Sequence, residues 1–546
     1  MRQADGGTGC GRSAARVLCS GLSFAISLLN PVAKAQSNNA GSQPPAAPAH
    51  ASLAPSTGLS LLDVLQASLA RNPQLQIETY TVDAQAGVLR TTQGQFDWTL
   101  GATGTQQHTY VPLTAALAAE YNAPGTGVTG QDATIANTST VTAAATKQYR
   151  NGITLSPALE LTRDTDNVIN QQGINQAHAG LAITLPLLRN RGRTAVDAQE
   201  VAARQILEAT RMDLSQLVSD TLATAASRYW TFVAADATLA VYKASEARGS
   251  DLLSGTEALV QADRLPANDL NEVRANLADR IASRTAAEQN LLQARQQLVL
   301  VMGLAAEQIL SLPAPSQNIP AATASYDAAR LAGYLQLANT RRADVLAARL
   351  RRDANLTLQA AAGNQLKPQL DLSPSVGYTG LREGASILDY PRALGNSPRG
   401  ADVSIGITYS QTPANNAARG RLETAMATTR QSEITLSETA RTAASTVVVA
   451  YQGVQSTILQ LQRAREAVRF YQAALDGERE KYRLGLSALV DVLTVEDRLT
   501  TEVLNEVNAR LAYALALVQL RQSTGTIVQA GQDVQQVDPL LFSTLP

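Results

Sequence analysis

Two stretches of the sequence, 179–303 and 401–525, run in register at a constant offset of 222 residues. Ala179/Ala401, Ile183/Ile405, Leu214/Leu436, Thr224/Thr446, Tyr229/Tyr451, Asp269/Asp491, Leu277/Leu499, Leu298/Leu520 and Gly303/Gly525 match without a gap. A chain like this is built twice from one unit, and the unit decides the fold. Each copy reads as a short alternating segment, a very long helix, a break and a second long helix. Further upstream, Leu65/Leu335, Gln66/Gln336 and Arg71/Arg341 match at an offset of 270, so the first half carries about 48 additional residues between 96 and 179.

The helices are the stronger signal. Val492, Val495, Leu499, Val503, Val507, Leu511, Ala514 and Val518 form one stripe with steps of three and four. Leu270, Val273, Leu277 and Ile281 begin its counterpart. Helical patterns cover roughly 193–247, 252–302, 417–476 and 488–523. At about 1.5 Å per residue, fifty residues reach about 75 Å. Rods of that length suit a coiled-coil wall rather than a compact domain. Aromatic residues make up only 4% of the chain, which fits narrow seams lined by alanine.

The breaks read as helical-hairpin turns. In Tyr482-Arg483-Leu484-Gly485-Leu486-Ser487, Gly485 ends one helix and Ser487 caps the next. In the first half Pro266 sits near the start of the following helix.

Period-two alternation marks half-buried strands. Phe96, Trp98, Leu100 and Ala102 share one face, as do Leu181, Ile183 and Leu185, and Val403, Ile405 and Ile407. Ile153, Leu155, Leu159 and Leu161 also share a face, and Lys147 to Gly152 reads as a hairpin turn. The additional residues are expected to form an enlarged external loop or an accessory hairpin, the alternative being an added hairpin that enlarges a strand barrel.

Residues 1–35 read as an export signal: Arg2, Arg12 and Arg16, an apolar run from Val17 to Leu29, and Ala33-Lys34-Ala35 as cleavage site. Residues 36–58 read as a flexible linker, 59–312 as the first structural repeat, 313–325 as a proline-bearing link, 326–528 as the second repeat and 529–546 as a tail. No run of 18 apolar residues follows the signal, so contact with a membrane requires a β-barrel or the surface.

No chemistry is expected. The net charge of -1 gives no reason to expect a nucleic-acid partner. Both cysteines, Cys10 and Cys19, fall in the signal. His50, His108 and His178 are dispersed and read as loop residues without ligand spacing. No nucleophile–base set and no phosphate loop is present, so neither an enzyme activity nor a cofactor or metal is expected.

The segment Tyr482-Arg483-Leu484-Gly485-Leu486-Ser487-Ala488-Leu489-Val490-Asp491-Val492-Leu493 resembles the turn-and-helix motif of the TolC family of outer-membrane efflux proteins. Leu185 to Arg193, Asn72-Pro73 and Arg341-Arg342-Ala343-Asp344 are similar to the family's strand-to-helix segment and paired openings. The resemblance covers about 59–528. It implies a mainly helical chain with a β-barrel: long antiparallel helical hairpins forming an α-barrel tunnel, and about four transmembrane strands per chain. A homotrimer would complete a 12-stranded barrel in outer-membrane lipid and reach into the periplasm. A periplasmic adaptor protein and an inner-membrane transporter would be its partners. The resemblance further implies a gate at the helical tip, with Asp491 as a constriction carboxylate and Tyr482 and Asp269 as latch groups. Ser487 and Thr494 depart from that pattern, standing where some members carry an arginine and a second acid. Helix N-terminal stabilisation is the alternative role for Asp269 and Asp491. A periplasmic adaptor or a structural coiled coil is the alternative for the whole chain.

Overall fold

The computed structural model describes residues 58–124, 129–263, 266–320, 329–386, 388–395, 399–484, 486–528 and 538–546. The expectations for 1–35, for all but the last residue of 36–58, and for Gly485 lie outside the described residues, as do 321–325 of the link and 529–537 of the tail.

Ser60 opens helix α1 (Leu61–Arg71) by a reciprocal cap: the Asp63 amide donates to Ser60 Oγ at 3.2 Å and the Ser60 amide donates to Asp63 Oδ2 at 3.0 Å. Asn72 then caps α2 (Pro73–Gln93), accepting from the Gln74 amide at 2.8 Å, with Pro73 presetting the first turn. The chain continues through β1 (Thr99–Pro112), α3 (Ala115–Tyr121), β2 (Ala133–Gln148), β3 (Thr154–Asp166), β4 (Ile174–Pro186), α4 (Arg193–Val196), α5 (Ala198–Gln261) and α6 (Asp269–Val301). The second half repeats the order with α7 (Arg330–Arg341), α8 (Ala343–Asn364), β5 (Gln369–Glu383), α9 (Asp389–Arg392), β6 (Arg399–Ser410), α10 (Asn416–Arg483) and α11 (Leu489–Thr524).

Helix α5 has 64 residues and α10 has 68, so each is about 100 Å long. The sequence suggested an interruption of α5 between 247 and 252, yet the helix runs through it. Gly249, within that stretch, is a packing position. Among the described residues no helix is long and apolar enough to cross a membrane.

The duplication is visible in the packing. Gly303 and Gly525, matched at the 222 offset, end α6 and α11 in the left-handed conformation (φ 65° and 66°). A Cβ on Gly303 would lie 2.8 Å from the Arg71 carbonyl oxygen, and one on Gly525 would lie 3.0 Å from Arg342 Cα. Each glycine therefore lets its helix end press on the junction of the short helix pair in its own half. Tyr229 and Tyr451, another matched pair, anchor equivalent cores. Tyr229 packs with Trp230, Phe232, Leu65 and Leu298, and its hydroxyl donates to the Leu59 carbonyl at 3.0 Å. Tyr451 packs with Tyr334, Val447 and Leu520, its ring centroid 5.5 Å from that of Tyr334.

Among the described residues, six strands form one antiparallel sheet in chain order. Four were expected, and the difference lies in the additional residues. By their links to the helices, β1 and β4 correspond to β5 and β6. The insertion supplies β2 and β3 as full-length strands of the same sheet, neither an external loop nor a hairpin apart from it. His108 and His178 lie on β1 and β4 rather than in loops.

The register sorts the side chains by face. One face carries Leu100, Val141, Leu155, Leu159, Leu161, Leu181, Ile183, Leu372, Val376, Val403, Ile405 and Ile407. Trp98 and Tyr409 lie toward one end of this apolar band, Tyr110 toward the other. Lys147, Arg163 and Arg382 also lie on this face, toward its ends. The opposite face carries threonine and serine with Glu160, Asp164, Asp166, Asp371, Glu383 and Asp402, and no lysine or arginine. Leu100 is 78% exposed and Ile405 72%, so the apolar band is bare in the single chain.

Candidate functional site at the helical tip

Far from the sheet, the two helical hairpins meet at their turns. The Asp269 amide donates to the Pro266 carbonyl at 3.2 Å, so Pro266 precedes α6 by one turn and Asp269 opens it. In the second hairpin Ala488, not Ser487, is the N-cap of α11. Its side chain has no acceptor. Asp491 at the third helical position substitutes, accepting from the Ala488 amide at 3.3 Å. Ser487 instead turns back to the preceding helix and donates to Glu478, with Asp491 Oδ2 3.4 Å away. That hydroxyl, followed by Lys481, holds the Glu478 carboxyl below its ordinary range.

Tyr482, with Leu252 and Leu253, packs against the cluster of Val273, Leu489 and Leu493, which joins both hairpins. Burial, reinforced by the charge of Asp269, pushes its phenol up. Its hydroxyl is enclosed without a hydrogen bond of good geometry; the neighbouring Thr256 hydroxyl donates to the Leu252 carbonyl at 2.8 Å. The structure thus brings Tyr482 and Asp269 together. Asp491 is engaged with its own turn, and no hydrogen bond joins it to Asp269 among the described residues.

The tightest link between the hairpins involves residues that sequence reasoning did not single out. Glu496 on α11 is 1% exposed. Arg280 on α6, itself 6% exposed, donates through Nη1 to Glu496 Oε1 at 2.9 Å and to the Ser245 carbonyl at 2.9 Å. Its Nη2 reaches Asp497 at 3.3 Å and its Nε reaches Asn276 at 2.6 Å. Arg248 on α5 donates to Glu496 Oε1 at 2.8 Å and to Thr500 at 3.2 Å. Arg479 on α10 adds a longer contact at 3.7 Å. A Cβ on Gly249 would lie 2.9 Å from Arg280 Cδ, so the bare backbone there makes room for the guanidinium. Burial opposes ionisation of Glu496, but the hydrogen bonds and charge of Arg280 and Arg248 overcome it and hold the carboxyl below its usual range. Asp497, with weaker support, is pushed up by burial. One signal was available beforehand: Glu496 falls between Val492, Val495 and Leu499 on an apolar stripe.

Among the described residues no group of three or more His, Cys, Asp or Glu side chains could hold a metal ion.

A second charged clamp lies near the sheet. Arg150, in the β2–β3 turn, pairs with Glu200 at the start of α5 at 2.6 and 3.1 Å and stacks 4.7 Å over Phe96. Glu200, 3% exposed, also accepts from Arg204 at 3.1 Å and Gln93 at 3.4 Å. The Arg150 hydrogen bond holds its carboxyl low in spite of burial.

Residues 334–526 match the family model described as outer membrane efflux protein. No curated protein matches the chain. Among solved structures, the outer-membrane channel OprN is similar at 17% identity with a TM-score of 0.59, covering 85% of this chain and 90% of its own. The CmeC outer membrane channel of Campylobacter jejuni is similar at 13% identity and TM-score 0.57, covering 87% of each chain. The open-state MtrE outer membrane channel of Neisseria gonorrhoeae follows at 16%, TM-score 0.55, covering 85% of this chain and 88% of its own. The chain thus resembles the outer membrane efflux proteins, by sequence over residues 334–526 and by fold across both repeats.

Proposed function

We propose that the chain is a TolC-like outer-membrane channel, a passive exit duct for an efflux or type I secretion system. The observation that carries this reading is the union, in one chain, of a sheet with one apolar and one polar face and helices about 100 Å long. The apolar face suits lipid and the polar face suits a water-filled bore. The free edges of β1 and β6 require neighbours. A homotrimer supplies them with cyclic closure, and a periplasmic adaptor and an inner-membrane transporter would engage the tip.

The closed state is a constriction at the helical tip, and opening is an iris-like shift of α10 and α11 against α5 and α6. Asp491 lines the constriction, Tyr482 and Asp269 latch it, and the Glu496–Arg280–Arg248 cluster holds the seam that must slide. Purification from membranes tests the reading. A heat-modifiable trimer that forms ion-conducting pores in planar bilayers is expected. A monomer soluble without detergent refutes it and favours the adaptor or structural coiled coil.

A further inference from the structure

Each half sends two strands into the sheet through its helices, β1 and β4 in the first and β5 and β6 in the second. The inserted hairpin β2–β3 lies between β1 and β4, not at an edge. It is the only connection between them: β1 pairs with β2 from Thr99 to Pro112, and β3 pairs with β4 from Thr154 to Asp164. With 16 and 13 residues, both strands exceed the roughly 9–11 needed to cross a bilayer.

Both inserted strands also have the two faces that lipid and water demand. On β3, Leu155, Leu159 and Leu161 continue the apolar band, while Glu160, Thr162 and Asp164 continue the polar face. The turn of the hairpin is fixed at the level where the helices begin, by Arg150 on buried Glu200. A decorative loop needs none of these features.

The count of six has a further consequence. In an antiparallel meander an even number leaves β1 and β6 running in opposite senses, so β6 of one copy can pair antiparallel with β1 of the next. The edges match in length, at 14 and 12 residues. Their apolar faces are bare: Val403 is 74% exposed and Leu100 78%.

We infer that the partner of each sheet edge is a second copy of this chain, and that three copies close an eighteen-stranded barrel in which β2 and β3 are wall. This rests on the trimeric channel reading. At a strand spacing of about 4.8 Å and a tilt of about 40°, eighteen strands enclose a backbone diameter of about 36 Å, against about 24 Å for twelve. The helical tunnel still receives two long hairpins per chain, so the outer duct is about 1.5-fold wider than a twelve-stranded one on the same tunnel. Such an outer segment admits bulkier cargo than a twelve-stranded wall would.

Single-particle imaging of the full chain in lipid nanodiscs tests the inference, with the copy number read independently by native mass. Three copies and eighteen strands are expected. Three copies with twelve strands in the wall and β2–β3 outside overturn the inference while leaving the channel reading intact. A particle that is not a trimer, or does not enter the nanodisc, overturns the reading on which it rests. In liposomes, Leu159→Cys should resist a water-soluble maleimide that labels Thr162→Cys. Equal labelling of both positions removes β3 from the wall.

Discussion

Glu496→Gln is the most informative perturbation of the seam. It leaves Arg280, 6% exposed, without its closest carboxylate, and removes the shared partner of Arg248. Breaking one side of a buried ion pair costs about 3–5 kcal/mol. Arg280 keeps the Ser245 carbonyl at 2.9 Å and Asp497 at 3.3 Å, so the lower end applies, about 3 kcal/mol. Because Glu496 sits on α11 and both arginines on the other hairpin, that energy belongs, on the proposed gating, to the closed arrangement. Its loss shifts the closed–open equilibrium by about two orders of magnitude toward open. Single-channel recording in planar bilayers reads this as higher conductance or longer openings than the parent. Recovery of the heat-modifiable trimer shows that assembly is intact. The double variant Arg280→Met with Glu496→Leu restores stability by apolar packing, with the thermal midpoint near the parent's. If Glu496→Gln leaves both conductance and thermal midpoint unchanged, the cluster is not part of the closed state.

Three further outcomes follow from the tip. Asp491→Ala removes a helix cap and a carboxylate from the proposed constriction, so cation preference should weaken and conductance rise in bilayers, at a stability cost of about 1 kcal/mol; unchanged selectivity and conductance exclude it from the gate. Tyr482→Phe deletes an enclosed hydroxyl without a hydrogen bond of good geometry, so the thermal midpoint should hold or rise; a fall of several degrees shows that the hydroxyl is bonded in the assembled channel. Glu496 has a lowered carboxyl pKa, so its stabilisation is full above the ordinary glutamate value of about 4.3 and disappears as pH falls through the lowered one. Conductance should therefore rise below about pH 4, and Glu496→Gln should lack that step.

The helices and the duplication were legible because their signals are long. A stripe such as Val492 to Val518 repeats over many turns, and pairs such as Tyr229/Tyr451 and Gly303/Gly525 recur at one offset into equivalent packing. The strand number was not legible. In Ala133–Gln148 the two faces differ mostly as alanine against threonine, a contrast too small for hydropathy to separate a membrane strand from a polar loop. The turn at Lys147 to Gly152 was recognisable from its residues, but nothing local shows that the strands on either side join the main sheet. At the tip, Tyr482 and Asp269 could be read from the motif and do come together. The Arg280–Glu496 pair spans 216 residues and the Arg248–Glu496 pair 248, so no local window contains either. Gly249 seats a guanidinium in the folded chain, a role that no local window shows.

The polar face of the sheet holds six carboxylates and, besides His178, no basic side chain, and on the channel reading that asymmetry makes the outer duct sensitive to electrolyte. At physiological ionic strength the field of such a wall decays over about 8 Å, so mobile cations gather in a film beside it and the centre of a wide bore is nearly neutral. In dilute medium, near 0.01 M, the decay length of about 30 Å spans the whole cross-section, and anions are thinned throughout. A cell moving from saline to fresh water would thus change the ionic character of this exit with no movement of the protein at all.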